Sequence, residues 1–467
     1  PAFRKFIKAI RPSFTPPSRP KLSNELLDEA YYRKKEEVDS VLSQAKHISI
    51  VTDGWTNPRA ECIINYLATA DDKCYFIKSV AIKMDRHNKE YIASGIEEVV
   101  EQLGKERVVG CTTDNAANMK SSWPILKAKY PKLVTLGCCS HIPNLLGNDI
   151  MKLPEVVEVW EKALEVAKWF KRHSLATAMV KDNTAQNEKF AAFQLPGKTR
   201  WQGKVATIGA LRINWRSMHR TMLGERLLGP SAAAREKETA QGIRTIVLDD
   251  HFKGRMQMLE DLLAPFLQIC IALETERPRL SKVYYYLTWL QKQTTISSLV
   301  PKQTFFPLVQ KRMQQAYHPM MCIAYLADPN VRKEKVVKVT QSQIEQAVQW
   351  LQEEYCNGST EAAGAYLALL IALRDKTGIF GNQIRWAAAP NMHPRHWWTL
   401  WEEDLPEMAE LCTRALSILP TSGDAERNWS EYGHIHSLKR NRLDLDRAEK
   451  LVYLHHNLRI DTPDPEP

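Results

Sequence analysis

His47-Ile48-Ser49-Ile50-Val51-Thr52-Asp53 is a short apolar run of β type that closes on a carboxylate, and the stretch after it decides the fold. Residues 61–69 (ECIINYLAT) and 74–83 (CYFIKSVAIK) predict two more strands, and Asp71-Asp72-Lys73 between them has hairpin character. Residues 90–103 (EYIASGIEEVVEQL) switch to helical spacing. Residues 107–113 (RVVGCTT) predict a fourth strand, which also ends on a carboxylate, Asp114. A helix from about Ala117 to Ala128, a fifth strand over 132–138 (KLVTLGC) and a helix from near His141 follow.

The element order is therefore β-β-β-α-β-α-β-α. Strands joined by short turns pair antiparallel, because parallel neighbours need long crossovers. The later strands alternate with helices, which implies right-handed parallel crossovers. An α/β mixed sheet of this order is ribonuclease H-like. Outward from it, residues 1–22 hold Pro12, Pro16, Pro17 and Pro20 among basic residues and predict an extended lead-in, with a helix over 23–45. Residues 155–180, 201–225, 253–274, 279–293 and 341–371 carry helical periodicity, while 226–245 and 375–395 are looser. Helices are expected over 404–419, from near Asp424, and over 443–458. The expected organisation is a basic lead-in and helix (1–46), the first part of a ribonuclease H-like domain (47–155), and a large, mainly α-helical insertion (156–400). A C-terminal segment (401–460) and a disordered tail (461–467) follow.

The 467 residues hold 64 Lys and Arg against 54 Asp and Glu, a net charge of +10. That balance suits a polyanionic partner without requiring one. Ordinary globular composition excludes a disordered chain, a collagen and a simple coiled coil. The nine Cys, from Cys62 to Cys412, form no C-x-x-C pair and no regular framework, so a reducing compartment is expected. No apolar run approaching the ~18 residues of a membrane helix is expected, and no membrane partner. The chain opens on Pro1 rather than Met and reads as part of a longer protein; the basic, proline-rich Pro1–Pro20 does not read as a signal peptide.

Asp53 and Asp114 end the first and fourth strands, which are neighbours in such a sheet. Converging carboxylates are hard oxygen ligands suited to Mg²⁺, and two ions a few Å apart serve phosphoryl transfer. Asp after a strand also starts turns and caps helices, and Asp114 stands directly before Asn115 and a helix. A third carboxylate would complete the set. Spacing alone leaves Asp424, Glu426 and Glu431 open.

Several motifs then occur in a family's order. Thr52-Asp53-Gly54-Trp55-Thr56-Asn57 and Thr113-Asp114-Asn115-Ala116-Ala117-Asn118-Met119 resemble the two acidic motifs of the hAT superfamily of DNA transposases (hobo, Activator and Tam elements). Gly137-Cys138-Cys139-Ser140-His141 resembles its Cys-x-x-His segment, and Thr199-Arg200-Trp201 its basic-aromatic motif. Ala425-Glu426-Arg427-Asn428-Trp429-Ser430, Lys439-Arg440-Asn441-Arg442-Leu443 and Ala448-Glu449-Lys450-Leu451-Val452-Tyr453 resemble the C-terminal dimerisation region. The resemblance implies a split ribonuclease H-like domain whose catalytic and metal-binding trio is Asp53, Asp114 and Glu426. It implies Mg²⁺ or Mn²⁺ in a two-ion site, metal-dependent DNA cleavage and strand transfer, and a nuclear homo-oligomer bound to DNA. Its alternative is a catalytically inactive, domesticated protein acting by DNA binding and dimerisation.

The remaining candidates have plainer readings beside functional ones. Cys138 and His141 have the spacing of half a zinc site, but structural zinc takes four ligands and no second pair is evident, so no structural zinc is expected. The resemblance puts both beside the active site or on DNA. Arg200 suits a phosphate, whereas Trp201 is either packing or a stacking platform. Arg427 joins the near-site set. Lys439, Arg440 and Arg442 form a basic cluster that is either a solvated face or a phosphate or import signal. Trp397, Trp398 and Trp401 are expected in a core or interface.

Overall fold

The computed structural model describes residues 2–57, 61–82, 88–197, 201–224, 233–275, 279–292, 298–333, 337–435 and 443–460. In chain order α1 (Ala2–Ile10), α2 (Arg19–Ser23) and α3 (Glu25–Gln44) precede strands β1 (Ile48–Thr56), β2 (Cys62–Ala70) and β3 (Lys73–Ile82). Then come α4 (Lys89–Leu103), β4 (Val108–Thr113), α5 (Ala117–Lys129), β5 (Val134–Gly137) and α6 (His141–Ile150). The helical stretch comprises α7 (Pro154–Arg172), α8 (Ser174–Asp182), α9 (Gln202–Leu223), α10 (Ala234–Val247), α11 (Asp250–Thr275), α12 (Leu280–Lys292) and α13 (Lys302–Ala316). It continues with α14 (Pro319–Ala327), α15 (Gln341–Glu354), α16 (Thr360–Asp375), α17 (Gln383–Ala388) and α18 (Pro394–Trp397). Last are α19 (Pro406–Ser417), α20 (Gly423–Ile435) and α21 (Leu445–Arg459). The sheet order is β3-β2-β1-β4-β5, with β1–β2 and β2–β3 antiparallel and β1–β4 and β4–β5 parallel. This is the ribonuclease H-like topology.

The chain forms two compact units. The first comprises residues 1–138, 277–283 and 318–467 and contains the sheet. Strand periodicity assigns its two faces. Tyr66, pointing to one face, reaches α4, where a Cβ on Gly95 would lie 2.3 Å from its hydroxyl. Ser49 and Asp53 of β1, Asn65 of β2 and Thr112 of β4 point to the other face. They meet the C-terminal segment: Ser49 Oγ accepts the Leu419 N–H (3.1 Å), and Thr112 Oγ1 donates to Leu419 O. Gly110 lets that segment come close, since a Cβ there would lie 3.0 Å from Ile418. Residues far along the chain therefore pack on this face of the sheet. At the β3 edge, buried Asn457 of α21 receives the Phe76 N–H and donates to Phe76 O, each at 3.0 Å. Its amide stands in for a neighbouring strand.

The β2–β3 hairpin turns on Asp71 (φ 48°) and Asp72 (φ 63°). Two left-handed central residues are what a tight hairpin requires, and Asp tolerates them. The Asp72 carboxylate is bound by His393 (2.8 Å) and Arg395 (3.3 Å), and the His393 hydrogen bond lowers its pKa to about 2. Glu410 of α19 behaves alike: a hydrogen bond from His47 (2.8 Å), with Lys46 and Arg414 nearby, lowers its pKa to about 2.

The second unit, residues 139–276 and 284–317, is helical. Within its helix α11 the 25-residue span Asp250–Glu274 holds a window of mean hydropathy 1.4, so length and composition alone would let it cross a membrane. The expectation of no such run needs correcting. Phe252, Met256, Leu259, Leu263, Phe266 and Ile269 of α11 are buried in this unit, as in a core helix.

Other expectations also change. The lead-in expected to be extended contains α1 and α2. The helix expected over 155–180 breaks at His173 between α7 and α8, and that over 341–371 breaks at Asn357 (φ 48°) and Gly358 (φ 80°). Helix α10 lies in a region expected to be loose, and α13 and α14 had not been expected. Every residue from Met320 to Ala327 in α14 is buried, so no polar face betrays its period. The expected disordered tail lies outside the described residues.

Replacing Asn457 by Leu removes both partners of the Phe76 peptide groups. With about 1–3 kcal/mol for an orphaned buried group, the variant is expected to lose about 2–4 kcal/mol in urea denaturation. The two low-pKa carboxylates predict acid lability. Each folded value lies below the unfolded range of about 3.9–4.3, so their stabilisation is full above that range and disappears as pH falls toward 2. The Tm is expected to drop between pH 5 and 2.5, and less steeply in the Asp72→Asn, Glu410→Gln double variant.

Candidate active site

The site is built at the carboxyl ends of the parallel strands, where open α/β sheets bind ligands. The β1–β4 register runs through Val51↔Thr112, and Asp53 and Asp114 each lie two residues further on. They therefore stand level on strands whose spacing is about 4.7–4.9 Å. Asp53 does not end its strand as expected. β1 continues to Thr56 because β2 goes on pairing with it through Thr56↔Cys62, whereas β4 stops at Thr113. Asp53 thus lies on a strand still paired with β2 where its pairing with β4 has lapsed.

Asp53 is 7% exposed and held from two sides. Its backbone N–H donates to Asn65 Oδ1 (3.1 Å). Its Oδ2 accepts a hydrogen bond from Trp429 Nε1 (2.8 Å), a neutral donor that orients the carboxylate without cancelling its charge. Asn65 turns its other amide atom to α20, donating to Ala425 O (3.0 Å). Trp55 stacks on Trp429 at 5.4 Å, and Tyr432 adds a hydrogen bond with Ser79. These contacts dock the first two turns of α20 on β1 and β2. Glu426 lies three residues before Trp429, so helical spacing puts the two on neighbouring positions of one face. Glu426 Oε1 accepts a hydrogen bond from Ser422 Oγ (3.3 Å).

Asp114 Oδ1 accepts the Ala116 N–H (2.8 Å), so it does shape the turn into α5. Asn115 then bonds Cys138 O (2.9 Å) across the end of β5. Gly137 is required there, because a Cβ would lie 2.2 Å from Asn115 Oδ1. Cys138 is fully buried. Its Sγ accepts the Ser422 N–H (3.2 Å) and lies within 4.8 Å of a Glu426 carboxylate oxygen. The ends of β1, β4 and β5 and the start of α20 therefore gather Asp53, Asp114, Cys138 and Glu426 at one edge of the first unit. Among the described residues, the ligand oxygens of Asp53, Asp114 and Glu426 do not all lie within 4.8 Å of one another.

The other two acids of the α20 region face elsewhere. Asp424 is buried and paired with Arg427 (2.7 Å), and Glu431 pairs with Arg459 (3.0 Å) and His455 (3.1 Å). His141 and Trp201 belong to the second unit. His141 opens α6, and Trp201 is 1% exposed, with its indole so close to Gly147 that a Cβ there would lie 2.4 Å away. Of the two readings open for this indole, packing holds: it lies in that unit's interior. Arg200, Lys439, Arg440 and Arg442 lie outside the described residues. Trp397, Trp398 and Trp401 are fully buried, as expected.

Asn65 and Trp429 are site residues that the sequence reading did not single out. Asn65 carried a signal: an amide in the middle of an apolar strand must find partners once buried. Trp429 carried none, because its partner lies 376 residues away.

Comparison with known families gives two matches. The domain of unknown function DUF659 matches residues 17–166, and the hAT family C-terminal dimerisation region matches residues 378–458. No curated protein matches the chain. The first match takes in the whole five-stranded sheet, and the second takes in α19, α20 and α21, which cover it. The chain therefore carries, in this order, the ribonuclease H-like region and the C-terminal dimerisation region of the hAT transposase family.

Proposed function

We propose that this protein is a hAT-type DNA transposase core, cutting DNA at element ends and joining the freed 3′ end to target DNA. The observation that carries the reading is the level pairing of Asp53 and Asp114 at the open end of β1 and β4, with α20 docked over it by Asn65 and Trp429. Three carboxylates are the hard donor set that Mg²⁺ or Mn²⁺ takes. Asp53, Asp114 and Glu426 would hold the cations, which when bound would supply charge neutralisation and an activated oxygen nucleophile.

The chain's own groups prepare that site. Trp429 and Asn65 fix the direction of Asp53, the Ala116 turn fixes Asp114, and Ser422 restrains Glu426. Such fixed orientation is what positioning contributes to catalysis, because small displacements of reacting groups cost large factors in rate. The net charge of +10 favours a DNA partner, and a reaction on chromosomal DNA would be nuclear. The C-terminal dimerisation region supports a homo-oligomer. It also supports the second reading, a protein that dimerises on DNA without cutting it, since dimerisation does not require the carboxylates.

Wild-type protein with Mn²⁺ is expected to nick supercoiled plasmid and hairpin DNA. Asp53→Asn, Asp114→Asn and Glu426→Gln should each lower that rate at least 100-fold, with the oligomeric state by light scattering unchanged. Equal nicking by all four proteins, or none by the wild type, favours the second reading. Trp429→Phe tests positioning: it should fold, lose about 1.5–3 kcal/mol from the missing charged hydrogen bond, and lower the turnover rate more than DNA affinity.

A further inference from the structure

Two apolar surfaces of the first unit lie open among the described residues. One is on α1. At about 100° per residue, Ala2, Phe3, Phe6, Ile7, Ala9 and Ile10 fall on one side of this helix, and Arg4, Lys5 and Lys8 on the other. None of its residues is buried, and Phe3, Phe6 and Ile10 are 65%, 59% and 66% exposed. A helix this short is marginal alone in water, and a contiguous exposed apolar face marks an interaction site.

The other surface is a groove formed by α2, α3 and α21. Its cavity of about 650 Å³ is lined by Leu22, Leu26 and Ala30 and, from the far end of the chain, by Leu443, Leu451 and Leu454. Leu22 is 58% exposed. Arg19 and Arg447 also line it, and Arg447 is engaged by Asp444 (3.6 Å) and Asn24 (2.8 Å).

We infer that α1 of one copy of this chain seats its Phe3–Phe6–Ile10 face in the groove of a second copy, and that the exchange is reciprocal. Three observations choose that occupant. The α21 residues of the groove lie within the matched dimerisation region, residues 378–458, so the groove continues a surface of contact between copies. The same chain carries both the helix and the groove, so two copies related by a two-fold axis satisfy both surfaces of each. Residues 11–18, which join α1 to α2, include Pro12, Pro16 and Pro17. Proline-rich linkers are extended and semi-rigid, and α2 is itself part of the groove. Such a linker carries α1 away from its own groove rather than back onto it, and strained short hinges favour exchange. With the apolar face seated, Arg4, Lys5 and Lys8 point outward, so Arg19 and Arg447 do not oppose them. Each contact covers two Phe side chains, about 150–250 Å² apiece, and the leucines beneath. Two contacts therefore reach on the order of the 1,200 Å² at which stable interfaces begin. This pairing rests on the homo-oligomer reading above and deepens it by naming the parts that meet.

Sedimentation velocity of the whole chain, run in EDTA, reads association independently of DNA cleavage. The wild type should be dimeric. Phe6→Asp and Leu22→Asp should each raise the dimer dissociation constant at least tenfold, with unchanged circular dichroism because both replace exposed side chains. The double variant should be no weaker than either single one, since both remove the same contact. Cysteine pairing then identifies which groove is filled. In an equal mixture of Phe6→Cys and Leu22→Cys proteins, oxidation should join position 6 of one chain to position 22 of the other, read by peptide mass spectrometry. Each variant oxidised alone gives the background from the native cysteines. A disulfide within monomers of the double cysteine variant, with none in the mixture, places α1 in its own groove and overturns the inference. A dimer that persists in both Asp variants, with no mixed disulfide, also overturns it while the homo-oligomer reading stands. A wild type that stays monomeric overturns both.

Discussion

A single hydrogen bond, from the indole of Trp429 to the carboxylate of Asp53, joins the two ends of this protein at the point where its chemistry would occur. Asn65 makes the companion link, one side of its amide on the Asp53 backbone and the other on α20. Both link a helix to the sheet and so help set where α20 rests. Glu426 has its place because its neighbours on the helix are anchored. The geometry at the sheet edge is therefore a consequence of docking, and docking rests on two buried polar side chains with apolar support from Trp55 and Tyr432.

Much of the sheet could be read from local pattern, and for a physical reason. Its strands are short, apolar and divided by turn residues, so residues 47–138 carry period-two and helical signals in alternation. The five strands and the order of the helices between them follow. Strand ends are another matter. β1 outruns β4 because an antiparallel partner keeps pairing with it, and a pairing partner is not a local property. In the helical regions amphipathic helices were legible, whereas α14, buried on every side, had no period to read. The break at Asn357-Gly358 was written in a familiar turn dipeptide yet was overridden by the periodicity around it.

For the site, local chemistry gave the carboxylates at the ends of strands one and four, but it could not choose among Asp424, Glu426 and Glu431. Family resemblance made that choice. The structure supplies a physical counterpart: the other two acids are occupied by Arg427, and by Arg459 with His455. Asp114 shapes the turn into α5 with one oxygen, and that bond also orients its carboxylate. What could not be read was the bond from Trp429 to Asp53 and the hold of Asn65 on α20, because those partners lie 376 and 360 positions apart.

The covering of one sheet face by the last part of the chain has a consequence for how the protein is made. Asn65 leaves the ribosome 360 residues before its partner Ala425. At about 5–20 residues per second that is a wait on the order of 20–70 s, during which Ser49, Asp53, Asn65 and Thr112 lack the segment that buries them. Contacts so distant in sequence form late. A prematurely terminated product would have both strand carboxylates and no α20, and so no third acid and no Trp429 to orient the first. Completion of translation is thereby built into the assembly of this edge of the sheet.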